Sequence, residues 1–345
     1  MPRKHVFTNI CVISLVIALT TVGWAQDKTA ENAAQFYKGK RVSIYIGYSA
    51  GGGYDTYARL LARHLGENIP GSPAVVPQNM PGAGSLRLAN WLFNVAPKDG
   101  TVIGAVSRGA PFEPLLTGEG TQFDAARFNW IGSMNNEGSV CVTWAETGIK
   151  EFADLQRREV IMAANRADTD QFPRILNEVF NTRIKLVLGY PGGSEMNLAM
   201  ERGEVQGRCG WSWSSVVMTK PGWLKDKKIN VIVQMALRKH SDLPDIPLAI
   251  DLTEKPEEKS LLRLILARQT TGRPIVAPPG VPSERVQALR DAFMTTMGNR
   301  DFINEAAKAQ LEIEAVPGLE VQDLVTEAYA TPQPLVERAR KALKE

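Results

Sequence analysis

The chain has 345 residues, 40 of them Lys or Arg and 37 Asp or Glu, for a formal net charge of +3. So even a balance gives no electrostatic case for nucleic acid or for a membrane surface, and any selectivity for an acidic ligand has to come from local groups. Three cysteines and three histidines, scattered and without a C-x-x-C pair, give no basis for a zinc or redox centre, and no cofactor or metal is expected.

The first 25 residues read as a secretory signal peptide. Arg3, Lys4 and His5 form a basic start, Ile10 to Leu19 is apolar but too short to span a bilayer, and Gly23-Trp24-Ala25 places small residues at −3 and −1 of a cleavage site. A mature, secreted chain of 345 − 25 = 320 residues is expected, with 38 basic and 37 acidic residues. That length suits two domains. Cys141 and Cys209 survive the cut. An oxidising compartment permits a disulfide between them, and an apolar strand equally suits each as a small buried thiol.

After a polar lead-in with a short helix, Lys28 to Tyr37, comes an apolar, β-branched run, Val42 to Ile46. A Gly-rich turn, Gly47 to Gly53, follows, and then a helix with Tyr57, Leu60, Leu61 and Leu65 at helical spacing. Ala74 to Gln78 repeats the design, with the turn Asn79 to Ser85 and a helix to Ala96. Thr101 to Val106 is a third strand, with Ser107 to Ala110 at its carboxyl end. Trp130 to Met134 and Ser139 to Trp144 are strands that carry the chain into a second domain. There Phe152 to Arg157 is helical, Val160 to Ala164 a strand, and Asp170 to Phe180 a helix. Ile184 to Leu188 is a strand that ends in Gly189-Tyr190-Pro191-Gly192-Gly193-Ser194 before another helix. Glu204 to Cys209 and Ile229 to Ala236 are further strands. The Pro-rich link Arg238 to Pro247 is a candidate return crossing. Helices over Glu257 to Leu266, Glu284 to Met297 (capped by Ser283), Asp301 to Ala309 and from Glu320 onward close the chain. Strands alternating with helices argue for parallel sheets, and ligands of such sheets bind beyond the carboxyl ends of the strands, where the Gly-rich turns lie.

These stretches together resemble a family. Tyr48-Ser49-Ala50-Gly51-Gly52-Gly53-Tyr54-Asp55 with Ala58-Arg59, Asn79-Met80-Pro81-Gly82-Ala83-Gly84 and Ala96-Pro97-Lys98-Asp99-Gly100-Thr101 are followed by Tyr190-Pro191-Gly192-Gly193, Gly203-Glu204-Val205, Leu243-Pro244-Asp245-Ile246-Pro247 and Ala277-Pro278-Pro279-Gly280-Val281-Pro282. In this order and spacing they are similar to the substrate-binding receptors of tripartite tricarboxylate transporters, the Bug-type extracytoplasmic solute receptors. The resemblance implies a type II periplasmic binding protein fold, with two α/β lobes, crossing strands and a ligand cleft between them. The expected division is 26–137 for the first part of lobe 1, 138–247 for lobe 2, and 248–345 for the return to lobe 1 with the C-terminal helices. The resemblance also implies a small carboxylate ligand, held by the turns Ser49 to Asp55 and Tyr190 to Ser194, and a membrane permease of one large and one small subunit as the partner. A monomer is expected. Where relatives carry a Gly/Ser-rich turn after an early strand of the second domain, this chain reads Asn165-Arg166-Ala167-Asp168-Thr169.

Backbone N–H groups of Gly51, Gly52 and Gly53 at one helix start, and of Gly192, Gly193 and Ser194 at another, are suited to a carboxylate. Asp55 can bond a ligand hydroxyl or cap its own helix, and Ser49 can bond the carboxylate or brace the turn. Arg108 and Arg166 are candidate counter-ions. Tyr48, Tyr54, Tyr190, Trp211 and Trp213 can wall the cleft, which favours a bulkier or aromatic acid. The rival reading is an α/β-hydrolase: Gly47-Tyr48-Ser49-Ala50-Gly51 matches the G-x-S-x-G nucleophile elbow, with His240 as the base. Against it, no strand precedes the elbow strand and no H-G-G-G-like segment supplies an oxyanion loop. A periplasmic sensor using the same cleft is a further alternative.

Overall fold

The computed structural model describes residues 32–165 and 168–344, so the expected signal peptide lies outside the described residues. Eleven strands form two sheets. β1 (Arg41–Ile46) alternates, burying Val42, Ile44 and Ile46 and turning Arg41, Ser43 and Tyr45 outward, as a strand with one face on a core must. It pairs in parallel with β2 (Ala74–Asn79) and β3 (Val102–Ala105). β4 (Asn129–Ser133), β10 (Pro274–Ala277) and β11 (Val316–Pro317) extend this first sheet in antiparallel fashion, in the order β11-β4-β10-β3-β1-β2.

The second sheet is built from β5 (Ser139–Trp144), β6 (Val160–Ala163), β7 (Ile184–Val187), β8 (Gly207–Ser212) and β9 (Ile229–Met235), in the order β7-β6-β8-β5-β9. β6 is parallel to β7 and β8, and β5 is antiparallel to β8 and β9. Cys141 on β5 and Cys209 on β8 are bonded across this sheet in its buried core. The expected strand Glu204 to Cys209 starts later, because the helix before it closes with Glu204 N–H on Ala199 C=O.

Each sheet has its own core. Helix α1 (Gly53–Asn68) lays Leu60, Leu61 and Leu65 against Ile44, Ile46 and Ile103 of the first sheet. In the second, Phe172 and Leu176 of α3 (Asp168–Phe180; α2 is Leu86–Asn94) pack with Met162, Cys209 and Ile232. Between strands of the two sheets the chain crosses twice, and after β11 it passes back once more to lay its last helix on the second core. The first crossing is 134–138. The Pro-rich link 238–247 is not the second: Gln234 N–H donates to Pro247 C=O, and the Gln234 side chain donates to Leu243 and Ile246 C=O, each at 2.8 Å. The link therefore folds back on β9. The helix Pro256–Leu266 also packs with the second core, and the chain returns only through 267–273. The two crossings run side by side, joined by Met134 N–H to Arg273 C=O (3.1 Å), Gly272 N–H to Asn135 C=O (2.8 Å) and Glu137 N–H to Gln269 C=O (2.9 Å).

After β10, the helix Ser283–Gly298 packs on α1 through Leu289 and Phe293. Its N-cap is Pro282 and no side chain caps it, so Ser283 is its first residue, not its cap. The last helix, Gln333–Lys344, buries Val336, Ala339 and Leu343 in the second core. No helix among the described residues is long and apolar enough to cross a membrane.

Candidate functional site

The turns after β1, β2 and β3 lie at one edge of the first sheet, because the three strands are parallel, and they are stitched together. Asn79 Nδ2 donates to Tyr48 C=O (2.9 Å) and to Asp55 Oδ1 (2.8 Å), and Ser85 Oγ accepts from Ser107 N–H (3.1 Å). Gly51 takes φ +80°, the left-handed region that favours glycine. Its N–H donates to Asp55 Oδ2 at 2.9 Å, and Asp55 also pairs with Arg59 at 2.9 Å. Arg59, Gly51 and Asn79 hold the Asp55 carboxyl below its usual range, although burial alone pushes it upward and is the largest single influence. Gly51 and Asp55 thus satisfy each other and brace the turn.

Across from it stands the glycine turn that opens helix α4 (Gly193–Glu201). The two turns interlock. A Cβ on Gly192 would fall 2.3 Å from Ser49 Oγ, and one on Gly52 would fall 4.0 Å from Gly193 N. Ser49 Oγ donates across the gap to Glu195 Oε2 (3.0 Å). Behind this closure lies a cavity of about 60 Å³ between the lobes. The first lobe supplies Tyr48, Gly52, Gly53, Tyr54 and Arg108. The second supplies Asn165, Asp168, Gly193, Arg208 and Trp211, and Arg273 enters from the crossing. The N-cap positions of α1 and α4, Gly52 and Gly193's neighbour Gly192, carry no side-chain cap, so both positive helix ends face the cavity.

Three guanidiniums line it, each at most 3 % exposed. Arg108 reaches from the first lobe wholly into second-sheet partners: Nε to Asp168 (2.6 Å), Nη1 to Ser212 Oγ (2.9 Å), and Nη2 to Ser139 Oγ and Gly210 C=O. Asp168 completes an ion pair with it. Although burial alone would lower its pKa, Asp168 and its other neighbours raise it above the usual arginine value. Arg273 pairs with buried Glu137 (3.0 Å), bonds Ser212 and Ser215 hydroxyls, and stacks over Tyr54 and Tyr57. Arg208 differs. Both of its hydrogen bonds leave from Nη1, to Gly193 C=O (3.1 Å) and Asn197 Oδ1 (2.9 Å), and its Nε is buried with no partner. No carboxylate among the described residues pairs with it. Burial lowers its pKa to about 9. Tyr48 and Tyr54 stack at 4.5 Å, and burial pushes both phenols up, so they stay neutral.

Of the residues singled out from sequence, the cavity brings together Tyr48, Gly52, Gly53, Tyr54, Arg108 and Gly193. Ser49, Gly51, Asp55, Gly192 and Ser194 lie in the two turns but outside its lining. Tyr190 lines a separate groove with Pro191 and the Gly82–Gly84 turn. Arg166 lies outside the described residues. Trp211 lines the cavity beneath Arg208, at 4.6 Å from its guanidinium, while Trp213 turns away to donate to Asp242 (3.1 Å). Arg208, Asp168 and Arg273 were not singled out. A lone charge inside an apolar strand, Arg208 between Gly207 and Cys209, is a signal for the first. The hydrolase arrangement is not assembled: Ser49 meets Glu195, and His240 Nε2 meets Glu312 (3.1 Å).

Two sheets, paired crossings and an interlobe cavity make this the two-lobed fold of periplasmic binding proteins. The chain is similar to a protein described as the periplasmic binding protein BugD, at 18% identity over 89% of this chain and 98% of that one, with a TM-score of 0.72. It is likewise similar to MatC from Rhodopseudomonas palustris, solved with bound malate (18% identity, 88% and 99% covered, TM-score 0.68), and to an R. palustris protein solved with adipate (16%, 89% and 98%, 0.67). A curated relative from Cupriavidus necator, described as a UPF0065 protein in the gbd 5′ region, is 24% identical over 90% of each chain. No protein-family model matches. The resemblance to Bug-type receptors carried by the turn motifs thus extends to the whole fold.

Proposed function

We propose that this chain is a non-catalytic periplasmic solute receptor that captures a small organic carboxylate and delivers it to a tripartite tricarboxylate-type membrane permease. The observation that carries this reading is the convergence of two helix starts without side-chain caps, Gly53 and Gly193, with the guanidinium of Arg208, which has no carboxylate partner among the described residues, on one interlobe cavity. A carboxylate there completes all three. Charge-assisted hydrogen bonds contribute about 1.5–3 kcal/mol each, and micromolar affinity needs about 8 kcal/mol, so a few such bonds with apolar contact suffice after ordering costs. The neighbours solved with malate and adipate support an acid as cargo, and the fold supports a periplasmic location.

In this reading the sheets are two lobes that open and close about the paired crossings, and ligand shifts that equilibrium by binding the closed form better. Arg108 with Asp168, and Ser49 with Glu195, are contacts that only the closed form makes. A thermal-shift screen of refolded protein against small carboxylates, amino acids and neutral amides tests it. Ligand at a hundred times its dissociation constant adds about 2.7 kcal/mol, and a shift of a few degrees confined to acids is expected. Silence from every acid would overturn the reading.

A further inference from the structure

We infer that Arg208 selects the cargo, and that it selects a short acid bearing a single carboxylate. This deepens the receptor reading above and rests on it. Among the described residues three positive groups line the cavity, and two of them are already neutralised within the protein. Arg108 has all three nitrogens committed and Asp168 as its counter-ion. Arg273 has Glu137. A second ligand carboxylate would have to draw on one of these, leaving Asp168 or Glu137 buried without its partner, which is strongly unfavourable.

Among the described residues no carboxylate pairs directly with Arg208, whose two hydrogen bonds both leave from Nη1, while Nε is buried without a partner. Nε and Nη2 form one side of the fork, the geometry that matches two carboxylate oxygens. Trp211 fixes the plane of that fork from one face, with the guanidinium carbon 4.6 Å from the ring centre. Nη1 is tied to the first turn of α4 through Gly193 C=O, where a Cβ would sit 3.2 Å from it. One carboxylate can therefore meet Arg208 and the α4 start together, with the α1 start opposite.

The remaining space is small and polar on one side. The cavity measures about 60 Å³, room for about four to six water-sized groups, and we place a three- or four-carbon acid there. Ser212 and Ser215 hydroxyls each accept from an arginine, which leaves their own protons to donate to a hydroxyl or keto oxygen. An ammonium finds no vacant carboxylate, since Asp168 is held by Arg108. Short hydroxy- and keto-monocarboxylates fit, and amino acids and dicarboxylates do not.

The test is calorimetric titration of refolded wild-type protein with lactate and pyruvate against alanine, malate and succinate, repeated on Arg208→Gln and Arg208→Lys. The monocarboxylates should bind at least tenfold tighter than the others. Arg208→Gln should weaken them at least thirtyfold, and Arg208→Lys should recover part of that loss by keeping the charge without the fork. A dicarboxylate or amino acid binding as tightly as lactate or pyruvate overturns the inference while leaving the receptor reading intact, as does wild-type affinity in Arg208→Gln. If Arg208→Gln does not fold, the wild-type comparison decides alone. No binding of any acid overturns both.

Discussion

A guanidinium as deeply buried as Arg208 gives up most of its hydration, and Gly193 C=O, Asn197 Oδ1 and the Trp211 ring replace it only in part, with no carboxylate pairing among the described residues. Burial accordingly lowers its pKa to about 9. In the proposed receptor a bound carboxylate would restore the charged form, which couples binding to protonation. Below pH 9 Arg208 is already charged and affinity is level. As pH rises through about 9, the free protein releases the proton and affinity falls, by up to about tenfold per unit. Calorimetry from pH 6 to 10 should show a plateau and then this decline; a fall between pH 6 and 7 would instead implicate a histidine, and none lines the cavity among the described residues. At the same scale, the proposed role of Ser49 is to hold the lobes together and not to touch the cargo. Its bond to Glu195 spans the lobes at 3.0 Å, so Ser49→Ala should cost about three- to tenfold in affinity, mostly as faster release. Loss of all binding in stopped-flow or titration experiments would mean that Ser49 touches the ligand.

The glycine turns set how closely the elements approach. Gly53 begins α1, and a Cβ there would lie 2.0 Å from Ser215 Oγ on the helix Trp213–Thr219 of the other lobe. Its backbone is helical, so Gly53→Ala leaves α1 intact and obstructs only closure. Binding should drop at least tenfold, with circular dichroism unchanged and a larger radius of gyration by X-ray scattering in the presence of ligand; unchanged binding would show that closure is not needed. These turns were legible in the sequence because strand, glycine run and amphipathic helix each leave a local pattern. Ser139 to Trp144 and Phe152 to Arg157 are found as read. The ion pairs were not legible: Arg108 and Asp168 stand 60 residues apart, and only the meeting of two sheets makes them neighbours. The return crossing was missed for a related reason. Prolines in 238–247 suggested a linker, but Gln234 draws that segment back on β9 through its main chain and side chain.

At the scale of the whole molecule, the crossings are where both lobes meet one buried charge pair. Glu137 and Arg273, from opposite crossings, are each at most 2 % exposed and lie 3.0 Å apart. Glu137 also accepts from Ser214 N–H at 3.1 Å. Glu137→Gln leaves Arg273 charged, buried and unpaired, and should destabilise the fold by about 3–5 kcal/mol in urea denaturation; a loss below about 1 kcal/mol would show that the crossings carry little of the stability. As a whole, the proposed receptor holds an acid in this cavity by its carboxylate. The most direct test is titration calorimetry of refolded protein with the tightest acid from the screen and with the matching amide, which has the same shape and no charge. Micromolar or tighter binding of the acid with no detectable heat from the amide is the predicted result. Equal binding of the two would contradict the account, because Arg208 and the helix starts at Gly53 and Gly193 would then have no part in holding the cargo.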